Sequence, residues 1–386
     1  MGTRCLPQST MTEVMCDLSH VTKKIRSEDF MSREALMGFL ILGLPGWGKT
    51  RIVEQKFKYS SVLPIASYIE DDLSSRMGVE GELITLVLPS IKTLVETAIK
   101  NPKVPCLMLL DEIPQGSVAV ERIICGWVNE RCVADIQIPD NIVIVATGNL
   151  RKHQAGAGSA LSHMISRFRC YEITPDVEGW LEWGINKLHE SVSAYIHMKP
   201  VAAYCWQDNA TEEAMAQQYR DAARDWVPYP NARSWTALSE AMYANPDLGY
   251  KAMAGFVGPE RAGEFNAMRG ISIPSHEDLL ENKVDLPEKP MAKWVALIRA
   301  GQKLTPGNAK LTAAFLLKFN PELTEVGLRI CGKVAKAFLK KHGVRLKSDF
   351  HALIYSPEGG TEYFPGFREV LLAPGSRYSS MLEVEA

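Results

Sequence analysis

What this sequence lacks narrows it first. None of its eight cysteines stands in a Cys-x-x-Cys pair. Such pairs mark zinc ribbons and thioredoxin-like redox centres, so the scattered cysteines read as reduced thiols of a cytoplasmic protein. Long apolar runs are also missing. Apolar runs such as those near residues 39–42 and 107–110 are far short of the roughly 20 residues that a bilayer span needs. Residues 1–17 carry no basic-then-apolar leader pattern. There is no charge excess: 43 basic and 45 acidic side chains leave a net charge of −2. That excludes a polycation built to coat nucleic acid, though not a local basic patch. The eight histidines show no His-x-x-x-His spacing joined to carboxylates, so a histidine-built metal centre is not expected. Ser159, Ser162 and His163 lie close together, but no G-x-S-x-G elbow supports a hydrolase triad. No internal repeat or low-complexity tract is visible.

What remains is an ordinary globular composition, 46% apolar and 23% charged over 386 residues. That length allows two or three domains, each with its own core. Residues 1–35 read as a polar, partly ordered lead-in without clear periodicity. Over 36–175, short apolar runs at 39–42, 61–65, 105–110, 141–146 and 168–173 alternate with helical patterns. That rhythm predicts an α/β core, a mostly parallel sheet with helices on both faces. Residues 176–271 read as helical. Val177, Trp180, Leu181 and Leu188 share one face, and Asn231 can cap a helix that carries Trp235, Leu238 and Met242. Residues 272–386 read as a proline-rich acidic linker and a mostly helical extension. There Leu323, Val326, Ile330, Val334 and Ala337 trace one stripe and Gly343 occupies a C-cap position. The tryptophans 180, 183, 206, 226 and 235 are expected in helical core. The basic run Lys333, Lys336, Lys340, Lys341, Arg345 and Lys347 reads as a solvated helix face, with nucleic-acid contact as the alternative.

Three segments carry chemistry. Gly43-Leu44-Pro45-Gly46-Trp47-Gly48-Lys49-Thr50 matches G-x-x-x-x-G-K-[ST] in full, between an apolar strand and a helical stretch. Glycines there let the backbone wrap phosphate with its N–H groups inward. Lys49 would reach the β- and γ-phosphates of ATP, and the Thr50 hydroxyl would ligand Mg²⁺. In residues 106–112 an apolar strand ends in Asp111 and Glu112. Asp111 would hold the Mg²⁺ shell and Glu112 would orient the attacking water. Residues 142–149 form a further apolar run ending in Thr-Gly-Asn. The Asn149 amide suits a water and a γ-phosphate, or simply a Gly-Asn turn.

In this order, and followed by Ser166-Arg167-Phe168, these segments resemble the AAA+ ATPases. The Ala146-Thr147-Gly148-Asn149 stretch is similar to the MoxR/dynein-related branch. Closer still are phage and bacterial MoxR-like ATPases, which share segments like Trp180-Leu181-Glu182-Trp183 and Pro230-Asn231-Ala232-Arg233-Ser234-Trp235. The resemblance covers about residues 36–260, and more faintly 261–340. It implies an AAA+ core, a helical lid and a helical C-terminal extension. It implies ATP held by Gly43, Pro45, Gly46, Trp47, Gly48, Lys49, Thr50 and the following Arg51. Thr50 and Asp111 would serve Mg²⁺, Glu112 and Asn149 catalysis. Arg167 would match the arginine finger, with Arg169 as competitor on the same strand face by alternation. Arg233 would match the lid's phosphate-sensing arginine, unless it is an ordinary surface arginine. A pore-facing insert is expected within residues 74–90. The resemblance further implies a homo-oligomeric ring, a hexamer, in a bacterial or phage-infected cell. Its client would be a protein, reached through a von Willebrand factor A-type partner. A DNA-acting AAA+ ATPase, helicase-like or a loader, is the alternative, and a nucleotide-gated scaffold a third class against which Glu112 argues.

Overall fold

The computed structural model describes residues 8–27, 36–74, 76–79, 82–149, 165–209, 211–344, 346, 348–354, 363–373, 376 and 378. It divides into two compact units, residues 1–176 with 211–226, and residues 177–210 with 227–386. The helix Glu212–Asp225, capped by the Thr211 hydroxyl on the Ala214 N–H, therefore groups with the first unit.

The first unit is built on six strands: β1 (Gln8–Ser9), β2 (Gly38–Gly43), β3 (Tyr59–Pro64), β6 (Cys106–Asp111), β9 (Ile142–Asn149) and β10 (Phe168–Ile173). They lie in the order β1-β10-β2-β9-β6-β3, and every pair is parallel. Apolar side chains on both strand faces demand cover on both faces. Leu40, Met108, Leu110, Ile142, Ile144 and Phe168 turn to one core, shared with α4 (Pro89–Lys100) and α5 (Val118–Glu130). Phe39, Ile41, Leu107, Leu109, Val143 and Val145 turn to the other, shared with α1 (Met11–Ser27) and with Val53 of α2 (Lys49–Glu54).

Residues 8–27 of the expected lead-in are thus part of the fold. Thr10 and Glu13 form a reciprocal cap, the Glu13 carboxylate accepting from the Thr10 N–H at 2.7 Å and the Thr10 hydroxyl from the Glu13 N–H at 3.2 Å. Met11, Val14, Met15, Leu18 and Val21 then follow at helical spacing, and all are buried. Each such side chain gains about 1.5–3 kcal/mol by leaving water, an upper bound for a compact unfolded chain. The Tyr171 hydroxyl of β10 donates to Asp17 of α1 at 2.7 Å; burial and that bond push the phenol up to about 12.

Between α3 (Glu70–Ser74) and α4 the backbone forms an antiparallel hairpin, β4 (Arg76–Val79) with β5 (Glu82–Thr85), in the region where an insert was expected. A second small hairpin pairs β7 (Cys132–Val133) with β8 (Ile136–Gln137).

The second unit is helical. Asn231 caps the helix Ala232–Ala244 in a reciprocal box with Ser234. Trp235, Tyr195 and Phe265 pack as an aromatic trio with centroids 5.4–5.6 Å apart. Arg261, 2% exposed, donates to the Cys205 carbonyl at 2.7 Å and to Asp208 and Glu264. The helix expected through Leu188 stops at Gly184, because the chain folds back: a Cβ on Gly184 would collide with the Leu188 side chain. The stretch expected as linker holds a helix, His276–Leu280, capped by Ser275. The long helix Pro321–Lys341 approaches its neighbours at Gly327, where a Cβ would meet Leu316 at 2.6 Å. It ends as expected at Gly343, whose φ of 82° allows the Val344 N–H to reach the Leu339 carbonyl at 3.0 Å. Two tryptophans depart from the core expectation. Trp226 is 91% exposed in the first unit, and Trp183 is 44% exposed with Lys187 over its ring.

Candidate functional site

The register of the sheet brings the three chemical segments to one edge. Gly43 of β2 lies level with Asn149 of β9, and Leu110 of β6 level with Ala146. β9 separates β2 from β6, so its last residues stand between the glycine loop and the two carboxylates. That edge is the carboxyl end of the strands, where open parallel sheets bind ligands.

The loop after β2 turns through Gly46 (φ 79°) and Gly48 (φ 72°), both left-handed and costly for a residue with a Cβ. It delivers Lys49, only 7% exposed, to the start of α2. The ammonium donates to the carbonyls of Gly43 (3.1 Å) and Leu44 (2.8 Å) and to Asn149 Oδ1 (3.0 Å). A buried charge needs such partners, and all of these are neutral oxygens that an anionic phosphate would outcompete. Trp47 is buried at the loop, while Pro45 and Gly46 are half-buried and Arg51 is exposed.

Next to it, the Thr50 hydroxyl donates to Asp111 Oδ1 at 2.7 Å. A hydroxyl and a carboxylate oxygen in contact are the hard oxygen donors that a small divalent cation takes. Glu112 follows with φ 57° and ψ 40°, left-handed without being glycine, and is exposed. The turn it makes starts a short 3-10 segment, Ile113–Gln115, whose Pro114 packs on Gly148. A Cβ on Gly148 would lie 2.6 Å from the Pro114 ring. Thr147 was not singled out from the sequence. It is 1% exposed, and its hydroxyl donates to Asp111 Oδ1 and accepts the Glu112 N–H at 3.4 Å. Strand alternation is the signal that points to it, because Thr147 shares a strand face with Asn149.

Lys49, Thr50, Asp111, Glu112, Thr147 and Asn149 are therefore one cluster. Arg167 lies just before β10, on the α5 side. Its guanidinium is close enough to Cys125 to pull that thiol's pKa down against the burial that raises it. Arg169 instead lies 5.3 Å over the ring of Phe39, on the α1 side. The same-face expectation fails because Arg167 precedes the strand, where alternation does not apply. Arg233, second residue of its helix, belongs to the second unit and is not among the residues the first unit gathers. The helical segment expected at 159–165, with Ser159, Ser162 and His163, lies outside the described residues apart from Ile165. Of the basic run, Lys333 pairs with Glu182 and Lys336 with Asp349, while Arg345 and Lys347 lie outside the described residues. Among the described residues no group of three or more His, Cys, Asp or Glu could hold a metal, and no helix is long and apolar enough to cross a membrane.

The sequence matches no family model and no curated protein. Solved structures similar to it include PCH-2 of C. elegans, at 14% identity over 66% of this chain and 66% of that one, just under two thirds, with a TM-score of 0.32. They also include RuvB of Thermotoga maritima, a Holliday junction branch migration motor, at 16% identity over 71% of this chain and 76% of that one, TM-score 0.32. A mutant of the same RuvB has 14% identity over 78% and 81%, TM-score 0.34. These likenesses are distant, and the functional reading rests on the site itself.

Proposed function

We propose that this chain is an ATP-hydrolysing motor of the AAA+ class that remodels a protein client. The observation that carries the reading is the meeting of Lys49, Thr50, Asp111 and Asn149 at one sheet edge, with Glu112 beside them. The donor set fits the ligands. A glycine loop and a buried ammonium suit phosphates, and the Thr50–Asp111 pair suits Mg²⁺. Bound there, Mg²⁺ supplies neutralisation of charge on the phosphate oxygens.

The chain's own groups do the rest. Lys49 binds the β- and γ-phosphates. Glu112, exposed at the mouth of the site, orients a water and draws off its proton as the water oxygen bonds to the γ-phosphorus. The bond to the β–γ bridging oxygen breaks, and ADP leaves with the electron pair. Asn149, now on Lys49, is placed to hold that water or a γ-phosphate oxygen. Arg167 is assigned as the finger supplied to a neighbour's site, which requires a heterologous ring such as a hexamer. Arg233 is assigned to the nucleotide's phosphates. The resemblance to MoxR-like ATPases supports a von Willebrand factor A-type partner, and the hairpin of β4 and β5 suits the insert that would grip a client.

The test is Glu112→Gln. It should bind MgATP with near wild-type affinity and turn over about 100-fold or more slowly, because water activation is lost while the metal pair stays. Wild-type turnover would sink the assignment. Turnover stimulated by DNA and not by protein would move the chain to the DNA-acting motors. Within the basic run, Lys333 and Lys336 are already engaged by acids.

A further inference from the structure

We propose that Thr147 is a positioning residue that holds the Asp111 carboxylate and the backbone turn at Glu112 in working orientation; this rests on the roles given above to Asp111 and Glu112. A hydroxyl has one proton to give and two lone pairs to receive. Thr147 gives its proton to Asp111 Oδ1 and receives the backbone N–H of Glu112. One buried side chain thereby fixes the last residue of β6 and the residue that follows it. The torsion that orients a carboxylate is broad and roughly two-fold when left alone. Here Oδ1 is held from two sides, by Thr50 and by Thr147, and the carboxylate plane is set before any cation arrives. Glu112 poses a different problem. Its backbone is left-handed, a conformation that residues other than glycine, asparagine and aspartate seldom adopt. Its N–H would gain nothing from that geometry without an acceptor, and Thr147 is the acceptor. Gly148 completes the clamp, letting Pro114 lie where a Cβ would block it. Residues 147–149 therefore serve three groups in sequence: the Asp111 carboxylate and the Glu112 N–H through Thr147, the turn after them through Gly148, and Lys49 through Asn149.

The alternative role for a threonine here is merely to fill a strand position. Thr147→Val keeps the shape and removes the hydroxyl, and Thr147→Ser keeps the hydroxyl. Three readouts separate the roles: ATP affinity by calorimetry with the metal chelated, ATP affinity across a Mg²⁺ titration, and steady-state turnover. With Thr147→Val, metal-free affinity should be unchanged, because Lys49 and its loop are untouched. The half-saturating Mg²⁺ concentration should rise about tenfold, the loss of one hydrogen bond to a charged group. The kcat should fall about tenfold or more with KM for ATP little changed. Thr147→Ser should restore both to within about threefold. If Thr147→Val keeps the wild-type Mg²⁺ dependence and kcat, the proposal is wrong. If both variants lose activity equally and melt early, the role is packing and the proposal is again wrong. Failure of the underlying reading looks different: Asp111→Asn would then leave the Mg²⁺ dependence of ATP affinity as it is in the wild type.

Discussion

Lys49 shows how a single side chain can be prepared for a ligand. Its ammonium is withdrawn from water and donates to the carbonyls of Gly43 and Leu44 and to Asn149 Oδ1. Lys49→Ala should therefore lower ATP affinity about 10- to 100-fold, the range of a lost charge-assisted contact; calorimetry showing unchanged binding would remove the phosphate-loop assignment. The arginines can be told apart at the same scale. Arg167→Ala should bind ATP normally and lose turnover by about 10³-fold or more. Mixing it with Lys49→Ala should restore activity, since some interfaces then join an intact loop to an intact finger; mixed assemblies with bound ATP and no rescue would argue against a finger in trans. Arg169→Ala should keep turnover near wild type. Its contact with Phe39 is worth about 0.5–1 kcal/mol, read as a small drop in Tm.

Among the elements, what the sequence made legible tracks how strongly each pattern is dictated. Strands β2, β6 and β9 are apolar up to their carboxyl ends because both faces are covered, and such runs stand out. The cap at Asn231 was legible because a capping asparagine stands just ahead of the helical stripe of Trp235, Leu238 and Met242. Helix α1 was missed although Thr10-Met11-Thr12-Glu13 spells a capping box. Its polar face, with Lys23, Lys24 and Arg26, diluted the stripe of Met11, Val14, Met15, Leu18 and Val21. Thr147 was missed because alternation with Asn149 marks its strand face but not its partners, which lie on another strand. Two substitutions probe these elements. Leu18→Ala should cost about 2–5 kcal/mol, read by denaturant unfolding, as expected for a core leucine; a cost below about 1 kcal/mol would mean that α1 is not part of the core. Gly148→Ala should slow turnover while ATP still binds, because the new methyl would displace Pro114 and with it the Glu112 turn. Unaltered kcat would show that this turn tolerates the shift.

On the scale of the whole molecule, the second unit carries a pH liability in its buried histidines. Burial lowers the pKa of His189, His197 and His276; Arg299 and Arg269 add to it at His189, as Lys303 and Arg299 do at His276. All three lie in the second unit. Their folded pKa values lie below the unfolded value of about 6.5, so the unfolded chain takes up protons first. The stability they support is present above that pH and is lost as pH falls through it toward the folded values. The second unit's melting temperature should drop between about pH 7.5 and 5.5. A glutamine in place of His197 should flatten the slope; a pH-independent melt would contradict the burial of these rings.

The motif-bearing stretch invites a cut at residue 36, just ahead of β2. Such a fragment would keep every residue of the nucleotide cluster. It would also strip α1 and β1 from the sheet, leaving Phe39, Ile41, Leu107, Leu109, Val143 and Val145 without their helix and β10 as a raw edge. A bare apolar sheet face beside an unpaired edge strand is a template for self-association. Expression of the fragment starting at residue 36 should yield aggregates, while one that starts at residue 8 stays in the supernatant.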